Sequence, residues 1–136
     1  MSPARPRPGR RAGRRAAVPD ALAPVRGYTA RDEHLLVGLM TGTSADAVDA
    51  VLVRFRGQGL ATRHEVVAYR ETPLEPALRR EVLEVAAAAE LAPERLMRLD
   101  AALGERFAAA VLELLAAAGM DRDRVDAIAS HGQTVR

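Results

Sequence analysis

The stretch Met40-Thr41-Gly42-Thr43-Ser44-Ala45-Asp46-Ala47-Val48-Asp49 gathers the groups in this chain best suited to hold an anion. A Gly-Thr-Ser turn presents several backbone N–H groups and two hydroxyls in one concavity, and such nests bind phosphate oxygens. Asp46, at the exit of the turn, could hold a Mg²⁺ ion or its waters, because magnesium takes carboxylate and phosphate oxygens and keeps part of its hydration. A plainer reading of the same residues has Thr43 and Ser44 satisfying turn backbone groups while Asp46 caps a hairpin. Two other phosphate motifs are excluded, since the chain has neither a lysine for a Walker loop nor a Gly-x-Gly-x-x-Gly run opening a helix.

A second polar cluster is Ser130-His131-Gly132-Gln133-Thr134. Polar residues just beyond the carboxyl end of a sheet strand stand where α/β folds place ligands. Gln133 and Thr134 could bind sugar hydroxyls or a phosphate; alternatively His131 is a structural hydrogen-bonding group and Gly132 serves only the turn. His34 and His64 have no metal-ligand spacing to His131 or to each other, and the chain has no cysteine, so zinc and thiolate chemistry are not expected. Gly42-Thr43-Ser44 also lacks the Gly-x-Ser-x-Gly pattern of a serine nucleophile on a strand-to-helix turn.

The elements that must position these clusters are readable from periodicity. Leu35 to Met40 is a short apolar run ending in the Thr-Gly-Thr-Ser turn, as a buried strand does. Asp46 to Arg56 resumes with β-branched residues, and after Gly57-Gln58-Gly59 the run Leu60 to Arg70 returns as a third strand. Thr72-Pro73-Leu74-Glu75 predicts a helix start, with threonine as cap, proline at the first helical position and glutamate completing a capping box. That helix carries Leu74, Leu78, Val82 and Val85 on one face. A second helix is expected from Pro93 to Gly119, with a stripe through Leu96, Leu99, Leu103, Phe107, Val111, Leu114 and Leu115. Gly104 inside it predicts either a close neighbour or a bend. Val125 to Ala129 is a fourth strand by composition, running into the second cluster. The order β-β-β-α-α-β describes an α/β layer whose sheet needs helices on both faces, with only two helices to supply them. This reads as an incomplete lobe.

Charge divides the chain of 136 residues. Residues 1–31 hold eight arginines against Asp20 alone, a net +7, whereas residues 32–136 carry a net −5. Residues 1–31 mix Pro, Gly, Ala and Arg without hydrophobic periodicity and read as a disordered basic tail ahead of a domain over 32–136. Such an arm could grip phosphates, but without interleaved aromatics nucleic acid is not the expected partner. No apolar stretch approaches the roughly 18 residues of a membrane span, and no apolar segment follows the arginines as in a secretory signal. The expected location is the cytoplasm.

Gly38 to Ala50 resembles the Gly-Leu-Met-Ser-Gly-Thr-Ser-x-Asp-Gly-x-Asp signature of the anhydro-N-acetylmuramic acid kinases, and Ser130 to Arg136 looks like their His-Gly-Gln-Thr segment. Both occur in the family's order, and the resemblance extends over 34–136. It implies an actin-like (ribonuclease H-like) ATPase lobe. It also implies a kinase that opens the 1,6-anhydro ring of 1,6-anhydro-N-acetylmuramic acid with water. Phosphorylation of O6 from Mg²⁺-ATP then yields N-acetylmuramate 6-phosphate, in peptidoglycan recycling. Carried over by position, Gly42, Thr43, Ser44, Ala45, Asp46, Ala47, Val48 and Asp49 would form the ATP-phosphate loop, with Asp46 toward the metal. His131, Gly132, Gln133 and Thr134 would face the amino sugar. The partners implied are that sugar and ATP, with a homodimer for a full-length protein.

Three departures from the family pattern stand out. Thr41 replaces a serine and keeps the hydroxyl. Ala47 replaces a glycine, which would strain the loop if that position requires positive φ. The aspartate that activates water is expected beyond Arg136, so no general base is assigned within the chain. The alternative to a kinase fragment is a complete short binding protein without catalysis, or a decayed gene product.

Overall fold

A computed structural model of the chain describes residues 20–135. The basic tail over 1–19, and Arg136, lie outside the described residues. A four-stranded sheet is built from β1 (Glu33–Met40), β2 (Ala47–Arg56), β3 (Arg63–Pro73) and β4 (Ala127–Ser130), in the order β3-β2-β1-β4. The first three strands form the antiparallel meander that the glycine-punctuated runs predict, and β4 joins β1 in parallel.

Strict alternation fixes which face is buried. Leu35, Val37 and Leu39 of β1 and Val48, Ala50 and Leu52 of β2 point to one side, with Val37, Val48, Ala50 and Leu52 fully shielded from solvent. Over that side pack α2 (Pro76–Ala87), through Val82 and Val85, and α3 (Pro93–Ala117), through Leu99, Leu103, Ala110, Val111, Leu114 and Leu115. Each large aliphatic side chain buried in this way contributes about 1.5–3 kcal/mol. Both helices occupy the same side, and on the opposite side, among the described residues, Met40 and Tyr69 are exposed beside Gly38, Asp49 and Val51.

Three expectations about the elements are corrected. The first concerns the part of the basic tail within the described residues: α1 (Ala23–Thr29) is a helix of about two turns rather than disordered chain. Pro24 pre-sets its first turn, and Asp20 both accepts from the Leu22 amide and pairs with Arg26. The anchor is tertiary. Tyr28 stacks on His34 with ring centroids 4.0 Å apart, and Arg31 pairs with Asp126.

The second correction concerns the start of α2. Thr72 is not a cap; it is buried in β3, which continues to Pro73 opposite Ala47. The Leu74 amide then donates to the Asp46 carbonyl at 2.8 Å, and the helix begins at Pro76 with Glu75 at its cap position, making no side-chain cap bond. Glu75 instead pairs with Arg106 of α3. Two prolines, Pro73 and Pro76, fit a first helical position, and strand pairing selects the second. The third concerns Gly104, where one of the two alternatives falls: among the described residues, and apart from its own helix backbone, no atom lies within 4 Å of the place a Cβ would take, so no close neighbour demands glycine there.

Candidate functional site

The first cluster lies where β1 ends and β2 begins. The Ala45 amide donates to the Gly42 carbonyl at 3.0 Å, closing a tight turn across Thr43 and Ser44. Among the described residues, the amides of Thr43 and Ser44 donate to no backbone carbonyl. Ala45 follows with φ of 50° and is wholly buried. A left-handed residue after such a turn is how a chain folds its amides into a concavity. The positive φ that the family's glycine raised as a concern for Ala47 therefore falls at Ala45. Ala47 itself is ordinary strand, paired with Pro73.

Two side chains give this turn a polar character suited to Mg²⁺ and phosphate. Thr41 is buried, and its Oγ1 has no hydrogen-bond partner among the described residues. A buried hydroxyl left unpaired costs about 1–3 kcal/mol, a cost that an arriving ligand oxygen can remove. Asp46 is exposed at the exit, and the Ser44 hydroxyl together with its own backbone amide holds its carboxyl below the usual aspartate range. It is anionic at neutral pH. Unpaired amides for phosphate oxygens and a hard carboxylate oxygen beside them are the donor set such a group requires.

Not every residue of Gly42–Asp49 serves the loop. Val48 is a core side chain. Asp49 belongs to β2 and accepts a hydrogen bond from the Tyr69 hydroxyl on the side of the sheet opposite α2 and α3. The second cluster follows β4 directly: the His131 amide donates to the Leu39 carbonyl at 2.9 Å, extending the parallel pairing with β1. That bond brings the two motifs, far apart in sequence, to the same end of the sheet. His131 is exposed beside Met40 and Asp49. Gly132 takes φ of 72°, a conformation that favours glycine, and its amide bonds the Ser130 hydroxyl at 3.1 Å. The chain there turns toward α3, where Gln133 donates to the Thr134 carbonyl while its Oε1 is buried without a partner. Thr134 is exposed. The structure thus places His131 on the side opposite α2 and α3 and Gln133 against α3, so the four residues do not form a single surface.

Sequence reasoning overlooked Thr41 as a buried hydroxyl and Tyr69 as the partner of Asp49. Tyr69 sits opposite Val51 in the register, a position visible only once β3 is paired with β2.

The family model for anhydro-N-acetylmuramic acid kinase matches residues 34–136, which contain both clusters and all four strands but for Glu33 at the start of β1. The chain belongs to the anhydro-N-acetylmuramic acid kinase family. It is 39% identical over 105 residues to a protein of that name from Caldanaerobacter subterraneus subsp. tengcongensis, covering 77% of this chain and 26% of that protein. Its identity to the namesake from Xanthomonas campestris pv. campestris is 48% over 103 residues, covering 75% and 27%. With the one from Salinibacter ruber it is 41% over 105 residues, covering 77% and 26%. The chain therefore spans about a quarter of the length of the curated relatives it matches. The matched segment begins at His34, so α1 lies outside it.

Proposed function

We propose that this chain carries the phosphate-holding loop and a sugar-facing strand end of an ATP-dependent anhydro-N-acetylmuramic acid kinase. The reaction opens the 1,6-anhydro ring with water and moves the γ-phosphoryl group of ATP to O6, giving N-acetylmuramate 6-phosphate. The observation that carries this reading is the Thr41–Asp46 turn, which joins unpaired amides, an unsatisfied buried hydroxyl and an anionic carboxylate inside the family segment. The mixed sheet with both helices on one side supports the actin-like lobe that this reading adopts, with a homodimeric cytoplasmic enzyme as its setting.

Phosphoryl transfer is largely positioning and electrostatic stabilisation, so the work of these residues is to bind and orient. The amides of Thr43 and Ser44 hold phosphate oxygens, Thr41 supplies a buried hydroxyl, and Asp46 orients the cation or its waters. Bound Mg²⁺ would supply charge neutralisation on the phosphates. His131 and Thr134 lie at the strand end that faces the acceptor.

Titrating Mg²⁺-ATP into the chain while following backbone amide resonances tests the reading. Shifts centred on residues 41–46, weakened about tenfold by Asp46→Asn, are expected. Shifts elsewhere, or an affinity untouched by Asp46→Asn, would refute the loop as the phosphate site.

A further inference from the structure

The exit of the phosphate loop is held from behind, on the side where α2 and α3 pack. β3 ends at Pro73 and α2 begins at Pro76, and between them the Leu74 amide donates to the Asp46 carbonyl at 2.8 Å. Leu74 is itself buried. The backbone of Asp46 therefore takes its place from the short link Leu74-Glu75, and whatever fixes that link fixes the direction in which the Asp46 carboxylate leaves the loop.

α3 grips the link from both ends. Glu113 accepts from Thr72 Oγ1 at 3.5 Å and from Arg70 Nε at 3.3 Å, two residues on one face of β3. Arg106 donates from Nη1 to Glu113 Oε1 at 3.1 Å, and its Nε stands 3.7 Å from Glu75 Oε1. One guanidinium thus ties the end of β3 to the start of α2. Its side chain is only 11% exposed, and Nε is buried with no hydrogen-bond partner among the described residues. Stability alone does not account for such a group, because replacing a buried ion pair by apolar side chains of similar volume is often neutral or stabilising. What a forked, permanently charged cation does supply is a fixed angle between two carboxylates.

We propose that Arg106 is a positioning residue for the phosphate site: through Glu113 and Glu75 it sets the link between β3 and α2, and through the Leu74 amide that link sets Asp46. This rests on the phosphate-loop reading above and adds to it a residue of α3 outside both motifs. A ligand-holding side chain must be kept within about 0.5 Å of its working place by the groups behind it, so loosening the link should cost ligand affinity while the fold persists.

The test compares the natural chain with Arg106→Met, Arg106→Lys and Glu75→Gln, and with Val111→Ala, which removes buried apolar contact from the same helix and leaves these ion pairs intact. Each is titrated with Mg²⁺-ATP at the loop amides, and the exchange rate of the Leu74 amide is read against those of β1, under conditions where the chain is fully folded. Arg106→Met is expected to weaken Mg²⁺-ATP binding about three- to tenfold and to speed Leu74 exchange selectively. Arg106→Lys keeps a cation near Glu113 and should return the affinity to within about twofold of the natural chain. Glu75 is exposed, so Glu75→Gln leaves the core intact; it should move affinity and Leu74 exchange in the same direction, and it decides the matter if Arg106→Met does not fold. Equal losses in Arg106→Met and Val111→Ala, or an affinity unchanged in both Arg106→Met and Glu75→Gln, would overturn the inference and leave the phosphate loop standing. A natural chain whose loop amides ignore Mg²⁺-ATP would overturn the loop reading and this inference with it.

Discussion

At Asp46 the chain places a carboxylate whose protonation is governed by one neighbouring hydroxyl. The Ser44 side chain is the larger cause of its lowered pKa, with its own amide second. Ser44→Ala should therefore move the Asp46 carboxyl back up toward the ordinary aspartate value, as read from a carboxyl carbon titration. Because the folded pKa is depressed, the anionic form persists as pH falls through the usual aspartate range near 4, and is lost only below it. Mg²⁺-dependent binding at the loop should hold down to that lower pH in the natural protein and fail earlier in Ser44→Ala. Ala45 offers a different handle. A buried residue in the left-handed region tolerates alanine at a cost of roughly 1–2 kcal/mol, but a β-branched side chain there adds a steric clash. Ala45→Val should destabilise the fold by more than about 2 kcal/mol in chemical denaturation, through strain and overpacking together.

Among the elements, α3 contains a position where nature left stability unused. Gly104 has open space at the Cβ position within a 25-residue helix. Gly104→Ala should stabilise the chain by about 0.8–1 kcal/mol, raising the thermal midpoint without altering the loop. The strands and helices themselves were largely legible, because alternation in β1 and β2 and the stripe along α3 are local patterns that burial then obeys. The start of α2 was not. Thr72-Pro73-Leu74-Glu75 has the full local grammar of a helix cap, yet the pairing of Pro73 with Ala47 and the bond from Leu74 to Asp46 are non-local and keep that stretch extended. α1 was missed for a related reason, since its hold on the sheet comes from Tyr28 on His34 and Arg31 on Asp126, contacts no composition reveals. The site was legible to the same degree. The Gly-Thr-Ser turn could be located from residue types, but that Asp49 leaves it for the side opposite α2 and α3, with Tyr69 as partner, follows only from the register.

Across the whole molecule, one carboxylate ties together α1, β1 and the approach to β4. Asp126 accepts from the Leu35 amide at 2.8 Å and pairs with Arg31. Burial pushes its carboxyl upward, but the Leu35 amide, Arg31 and the nearby His34 outweigh that and leave it below the usual range. A depressed folded pKa contributes stability that is present above the unfolded value near 4 and is lost as pH falls through the folded one. Asp126→Asn should lower stability at pH 7 and flatten the acid limb of the stability profile, as measured by urea unfolding from pH 7 down to 3. The two residues of that Asp126–Leu35 bond are 91 apart in sequence, whereas the β2–β3 pair Asp49 and Tyr69 are 20 apart. Closing the longer loop costs more entropy and comes late, so the meander can assemble alone while β4 waits for both helices. The strand that carries His131 to the loop is thus expected to join after the meander. In a hydrogen-exchange experiment the two halves of the site should open as separate units, with the nest outlasting the edge that completes it.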